Sequence, residues 1–362
     1  MNMSKIIITA DIHNGLPNKL KDTIWSMEVM SKYALEHDIK SIFVLGDLFH
    51  DRTSVETNVL QKVYEFLKSS RVSWICFPGN HDMFLKNSWD ISPLYVLRDV
   101  MNVIDKIHHF DLGGIKFWVL PFIHQELTYM KVLQELDKRA SKEDILLTHI
   151  GVCGAVMNEC FLLKNWNIVK FEDTTFERVY SGHYHCYQSV GKLTYPGSPI
   201  SFRFDEGVVD HGFIVFDTVD RTSEFILTAD ASKGSDYVAP DYITIIDKDL
   251  KNRLNMVSGN HIKIMLSNEL NTNQIDKIKA MLHKRGALSV GTSLVSKQIQ
   301  EPTLVYKEKN FGSPKQLFTE FVKTDDTKLN KELLYELHDN ISQEAEERAL
   351  REISNDAEIA DQ

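Results

Sequence analysis

The chain has 362 residues, 43% hydrophobic and 25% charged, with a formal net charge of -10. That length is too great for one average core and suits two domains with a tail. The acidic balance argues against a simple nucleic-acid-coating protein but does not exclude a phosphodiester substrate, because bound divalent cations can supply positive charge locally.

No C-x-x-C pair joins the four cysteines, Cys76, Cys153, Cys160 and Cys186. With no secretory signal in view they are expected as thiols in a reducing compartment. No apolar run reaches the ~20 residues that span a bilayer, so the expectation is a cytoplasmic protein with no membrane partner.

From the N-terminus, short β-branched or aromatic runs alternate with polar clusters and amphipathic stretches. KIIIT (Lys5 to Thr9) is followed by a helical stripe of Trp25, Val29, Tyr33 and Ala34. SIFVL (Ser41 to Leu45) is followed by a stripe of Val59, Val63, Phe66 and Leu67. Further strands are predicted at VSWICF (Val72 to Phe77), IKFWVL (Ile115 to Leu120), DILLT (Asp144 to Thr148), RVYS (Arg178 to Ser181), KLTYP and GFIVFDT (Gly212 to Thr218). Strand and helix in alternation predict an α/β architecture, sheets covered by helices.

Around residue 230 the polar, turn-rich ASKGSDYVAPD reads as a linker. One β-α-β element follows, with HIKIML and ALSVGTSLVS as strands around the helix TNQIDKIKAMLHKRG. In SPKQLFTEFVKT, Ser at the cap, Pro at the first helical position and Gln three residues on predict a helix start. Leu317, Phe318, Phe321 and Val322 then form one apolar face, and Leu329, Leu333, Leu334 and Leu337 another. Two such helices pack on their own domain or clamp a partner. The domains are therefore placed at 1–230, 231–310 and 311–362.

The polar residues fall at strand ends. Asp11-Ile12-His13 follows the first strand, Asp47 with His50, Asp51 and Arg52 the second, and Asn80-His81-Asp82 the third. His149 follows DILLT, and His183 and His185 follow RVYSG. Carboxyl ends of strands are where α/β sheets build ligand sites. Each cluster alone has an ordinary reading: an Asp after a strand caps or turns the chain, and a lone histidine packs in a core. Five in succession, three with glycine beside them, point to one convergent site. Carboxylate, imidazole and amide oxygen suit a divalent cation such as manganese, iron or zinc. Seven ligand candidates plus His81 exceed the needs of one four-coordinate ion. They suit two ions ~3.5–4 Å apart sharing a carboxylate, for which Asp47 is the natural bridge. On an extended segment His183 and His185 face one way and Tyr184 and Cys186 the other.

DIH, GDLFHDR, GNHD, H and GHYH, in this order over residues 5–220, resemble the calcineurin-like metallophosphoesterase superfamily. GDLFH and YPGSPISFRFDE are also similar to SbcD-type nuclease subunits of bacterial DNA repair and to phage recombination endonuclease subunits. The resemblance implies a β-sandwich flanked by helices, a small α+β capping domain and a C-terminal helical segment. It implies a DNA exo/endonuclease using two divalent metals, manganese expected, in DNA end processing, recombination or repair. Asp11, His13, Asp47 and His185 would surround one ion, and Asp47, Asn80, His149 and His183 the other. His81 would be the catalytic histidine, Asp82 would orient it, and His50 would position the DNA end, with Arg52 as a further candidate beside an ion pair with Asp51. The implied partners are DNA ends, an SbcC-type coiled-coil ABC ATPase bound by the C-terminal helices, and a second copy in a homodimer. The implied setting is a bacterial or phage-infected cytoplasm. The chain has no G-x-x-x-x-G-K-[ST] motif, so ATP dependence would come from the partner. A phosphoprotein phosphatase or cyclic-nucleotide phosphodiesterase is the alternative on the same fold, and a non-catalytic scaffold the third reading. His108 and His109 are expected in a connecting segment, and His124, His211 and His261 as structural or surface residues.

Overall fold

The computed structural model describes residues 5–294, apart from 86–87, 159–160, 163–169, 207–209 and 268–269. The two expected C-terminal helices and the end of the expected capping unit lie outside the described residues.

In chain order the elements are β1 (Lys5–Thr9), α1 (Leu20–Glu36), β2 (Ser41–Val44), α2 (Thr57–Ser69), β3 (Ser73–Cys76), β4 (Asn102–Val103), β5 (His108–Leu112), β6 (Ile115–Leu120), α3 (Glu126–Arg139) and β7 (Ile145–His149). A small hairpin, β8 (Val156–Asn158) and β9 (Phe161–Leu162), precedes β10 (Arg178–Gly182), β11 (Gln188–Val190), β12 (Leu193–Tyr195), β13 (Gly212–Asp217), β14 (Thr222–Leu227) and α4 (Thr228–Ala231). The last unit comprises β15 (Tyr242–Ile246), β16 (His261–Leu266), α5 (Thr272–Lys284) and β17 (Ser289–Leu294).

These strands make two six-stranded mixed sheets, ordered β14-β13-β1-β2-β3-β4 and β11-β12-β10-β7-β6-β5. In the first, β1 to β4 run parallel; in the second, β6, β7, β10 and β12 do. The predicted strands read as near-continuous apolar runs because both faces of each sheet are covered. Between the sheets lie Ile6 and Ile8 of β1, Phe43 of β2, Phe117 and Val119 of β6, Ile145 and Leu147 of β7, and Tyr180 of β10. The intervening side chains point outward. Ile7, Ile42 and Val44 meet Met27, Met30 and Ala34 of α1 and Val59, Val63 and Leu67 of α2. Trp118, Leu120 and Leu146 meet Tyr129, Val132 and Leu136 of α3. The result is a helix-sheet-sheet-helix sandwich, the mixed α/β fold expected.

The structure departs from the sequence reading in places. His108 and His109 belong to β5, an edge strand paired antiparallel with β6, and not to a connection. The α1 stripe is split: Trp25 and Val29 pack on Ile200 and Phe202, while Met27, Met30 and Ala34 face the sheet. The small unit has an additional strand, β15, so it is a three-stranded parallel sheet β15-β16-β17 backed by α5. A capping box between Asn271 and Gln274 starts α5. No helix among the described residues is long and apolar enough to cross a membrane.

Candidate two-metal site

The five polar clusters come from both sheets. Three follow β1, β2 and β3 of the first sheet, and two close β7 and β10 of the second. The carboxyl ends of the two parallel regions meet at one edge of the sandwich.

Backbone hydrogen bonds between the first two loops fix their register. Asp11 N donates to Gly46 O at 3.1 Å, His13 N to Asp47 O at 3.0 Å and Asn14 N to Leu48 O at 2.8 Å. To keep this crossing, Asp11, His13 and Asp47 adopt left-handed φ values of 54°, 53° and 55°, a conformation that strains non-glycine residues and clusters at functional sites. The glycines beside the ligands serve close approach. A Cβ on Gly46, itself at φ 84°, would come within 2.5 Å of His149 Nδ1, and a Cβ on Gly182 would strike the Leu45 carbonyl and lie 2.7 Å from His149 Nδ1.

The side chains gather around two centres. At the first, His13 Nε2 lies 3.1 Å from His185 Nε2, and Asp11 completes the group. At the second, the Asn80 side-chain oxygen lies 3.0 Å from His149 Nε2 and 2.9 Å from His183 Nδ1. Asp47 stands between: its Oδ2 is 3.4 Å from His149 Nε2 and 3.9 Å from His13 Nε2. Two donors each about 2.1 Å from one ion stand roughly 3.0–3.4 Å apart, so both centres have the spacing of a coordination shell. Asp11 also falls within reach of Asp47 and His149, which places it nearer the midline than a ligand of the first centre alone.

The buried carboxylates and imidazoles shift one another's protonation. Burial raises Asp11 to about 6, against the opposing pull of His149. Burial would also raise Asp47, but His149 beside it holds its carboxyl well below the ordinary range. Burial would lower His149, yet Asp47 outweighs it and lifts the imidazole to about 9. His183 is pushed down to about 3 by burial and by His149, and so stays a neutral donor. A divalent cation here competes with the proton of the Asp47–His149 pair.

His81 and His50 sit at the mouth. Their rings are near-parallel, 15° apart, with centroids separated by 5.5 Å, and both line the cleft with Arg203. His81 N donates to Asp47 Oδ1 at 2.8 Å, and its Nδ1 lies 2.5 Å from the His50 carbonyl oxygen. The carbonyl, and not Asp82, therefore holds the ring. The fully buried Asp82 carboxylate accepts from Leu48 N, Phe49 N and Gly79 N at 3.3, 3.0 and 3.1 Å, tying the second loop to the third. Burial, then the charge of Asp47, push Asp82 up to about 7. Asp51 is engaged by Thr53 N and Oγ1 at 2.8 and 2.7 Å, not by an ion pair with Arg52.

His183 and His185 both reach the site, one at each centre. They do so through a turn in which His183 takes φ 105°, not by strand alternation, since β10 ends at Gly182. Tyr184 and Cys186 are buried, but the expected division of faces does not hold for Tyr184, which lines the same cleft as His183 and His185. Sequence reasoning passed over Glu206, whose buried carboxylate is 2.7 Å from His185 Nδ1. His211, expected as a structural or surface residue, packs with its Nδ1 3.2 Å from Ser198 Oγ.

The family model described as calcineurin-like phosphoesterase matches residues 4–187. The chain is 22% identical over 201 residues to exonuclease subunit 1 of Enterobacteria phage T4, covering 54% of this chain and 58% of that protein. It is 27% identical over 203 residues to the uncharacterized protein R555 of Acanthamoeba polyphaga mimivirus, covering 51% of this chain and 15% of that protein. The alignments thus span little more than half of one relative and a small part of the other. The chain belongs to the calcineurin-like phosphoesterase family, metal-dependent hydrolases of phosphoester bonds.

Proposed function

We propose that this chain is the nuclease subunit of a DNA-end-processing complex, a two-metal phosphodiesterase that cleaves DNA as an exo/endonuclease. The observation that carries the proposal is the pair of donor groups sharing Asp47, with His81 and His50 stacked at the mouth of the cleft. Likeness to a phage exonuclease subunit favours DNA over small phosphoesters.

Asp11, His13 and His185 would hold one ion and Asn80, His149 and His183 the other, with Asp47 between. Bound there, two divalent ions, manganese in this reading, supply acidified water and positive charge for the phosphoryl oxygens. The chain's own residues do the rest. The His50 carbonyl accepts from Nδ1 of His81 and the Asp47 carboxylate from its backbone N–H. The ring is thus held with Nε2 toward the departing oxygen, to which it gives a proton from its imidazolium form. His50, half-buried beside it, contacts the scissile phosphate and limits how the DNA end enters. Asp82 keeps the Asp47 and Asn80 loops in register. The C-terminal segment binds an SbcC-type ATPase that couples ATP hydrolysis to end processing, and the nuclease works as a homodimer.

The test is a manganese-dependent assay on linear duplex DNA, with and without the cognate ATPase, beside a phosphopeptide, a cyclic nucleotide and a small phosphodiester. DNA cleavage is expected, with His81→Ala reducing it about 10²- to 10⁴-fold while manganese still binds. Turnover of the phosphopeptide or cyclic nucleotide without DNA cleavage would overturn the proposal in favour of a phosphatase or phosphodiesterase.

A further inference from the structure

Glu206 closes the stretch YPGSPISFRFDE and is 2% exposed, yet it belongs to neither donor group. Its two oxygens have separate tasks. Oε2 accepts from Phe202 N at 2.6 Å and Arg203 N at 3.4 Å, which folds the loop under the carboxylate. Oε1 lies 2.7 Å from Nδ1 of His185. The other ring nitrogen, Nε2, faces His13 Nε2 at 3.1 Å. The Phe202 ring stands edge-on to both histidines, with centroids 5.7 Å from His13 and 5.3 Å from His185. Ser198 N also donates to the His185 carbonyl at 3.0 Å. The backbone and the ring of His185 are thus both held by this one loop.

An acceptor-only carboxylate at Nδ1 requires the proton to reside there, so the lone pair is on Nε2. Metal-binding histidines need that arrangement, and the same contact raises ring basicity and fixes ring orientation. We infer that Glu206 is a positioning residue for the ion held by Asp11, His13 and His185, setting the tautomer and aim of His185. The inference rests on the two-metal reading of the site.

Glu206→Gln separates this role from simple support of the loop. A carboxamide has one acceptor oxygen for two tasks. If the oxygen keeps the Phe202 and Arg203 amides, the NH₂ faces His185 and forces its proton onto Nε2. If the oxygen turns to His185, the loop amides meet NH₂.

The full chain, freed of metal with a chelator, is titrated with manganese by calorimetry, and free manganese is followed by electron paramagnetic resonance. The wild type should take up two ions. E206Q should weaken one of them by about 10- to 100-fold and leave the other unchanged, with the metal-free variant melting close to the wild type. Wild-type affinity at both sites in E206Q overturns the inference. So does equal weakening of both sites together with a large drop in metal-free melting temperature, which would mark a purely structural residue. Should E206Q not fold, Glu206→Asp, which keeps the charge and withdraws it by one methylene, is read by the same criteria. A wild type that fails to bind two ions overturns the two-metal reading itself, and this shows before any variant is made.

Discussion

Replacing Asp11 with Asn should stabilise the metal-free protein while disabling it. Asp11 is fully buried beside Asp47, and burial lifts its pKa from 3.8 to about 6. A carboxyl whose folded pKa lies above its unfolded value stabilises the fold only when protonated. That stability is present below about pH 4 and is lost as pH rises through about 6. At pH 8 the ionised Asp11 therefore costs about 3 kcal/mol, and at pH 5 about half as much. Asparagine carries no charge and its oxygen can still accept from His183 N, which now donates to Asp11 at 2.9 Å. The expected gain for D11N in chelator is up to about 3 kcal/mol at pH 8, or roughly 6–12 °C in melting temperature for a domain of this size, shrinking toward zero near pH 4. Saturating manganese should reverse the order, because the wild type gains a charged ligand that the variant lacks. Thermal melts at pH 5 and 8, with chelator and with manganese, test this. If metal-free D11N is no more stable than the wild type at pH 8, the buried charge is not the burden described.

Two further substitutions test packing. Gly182→Ala places a methyl against the Leu45 carbonyl and 2.7 Å from His149 Nδ1, so it should cost about 2–3 kcal/mol and weaken manganese binding; wild-type behaviour in urea unfolding and in metal titration would remove the close-approach argument for this glycine. Lys19 and Asp22 form a 2.9 Å ion pair, almost wholly buried, that Tyr237 joins through its hydroxyl and Tyr242 through its ring. Lys19→Met should cost about 3–5 kcal/mol by stranding Asp22, and Lys19→Met with Asp22→Leu should recover most of it, as read from denaturant midpoints.

The interior strands were legible because doubly covered parallel strands are uninterrupted apolar runs. The edge strands were not. β5 is His-His-Phe-Asp-Leu, half exposed and without clean alternation, and β15 follows a segment whose composition reads as a linker. For the site, the ligand types and the glycines beside them were visible, since each stands at the end of a legible strand. What the residues of a ligand turn hold was not visible. In GNHD the neighbours His81 and Asp82 suggest an oriented pair, but the turn sends the Asp82 carboxylate to backbone amides and leaves the ring to the His50 carbonyl. Glu206 was hidden because an acid after Phe-Arg-Phe-Asp resembles an ordinary surface residue. Only the folded loop shows it buried against His185.

The distance in sequence across which the centres close also shapes how the protein folds. Each donor group draws on both sheets, and the bond from His183 N to Asp11 spans 172 residues. Loop closure on that scale is slow and belongs to the end of folding. Asp11, His13 and Asp47 can meet within the first sheet, but neither donor group is complete before the second sheet brings His149, His183 and His185, so a cation finds no full shell on either sheet alone. Its full grip begins only when the sandwich has closed. Manganese should then act as a lock on the finished molecule, slowing the opening of the two sheets and leaving the rate of their assembly unchanged.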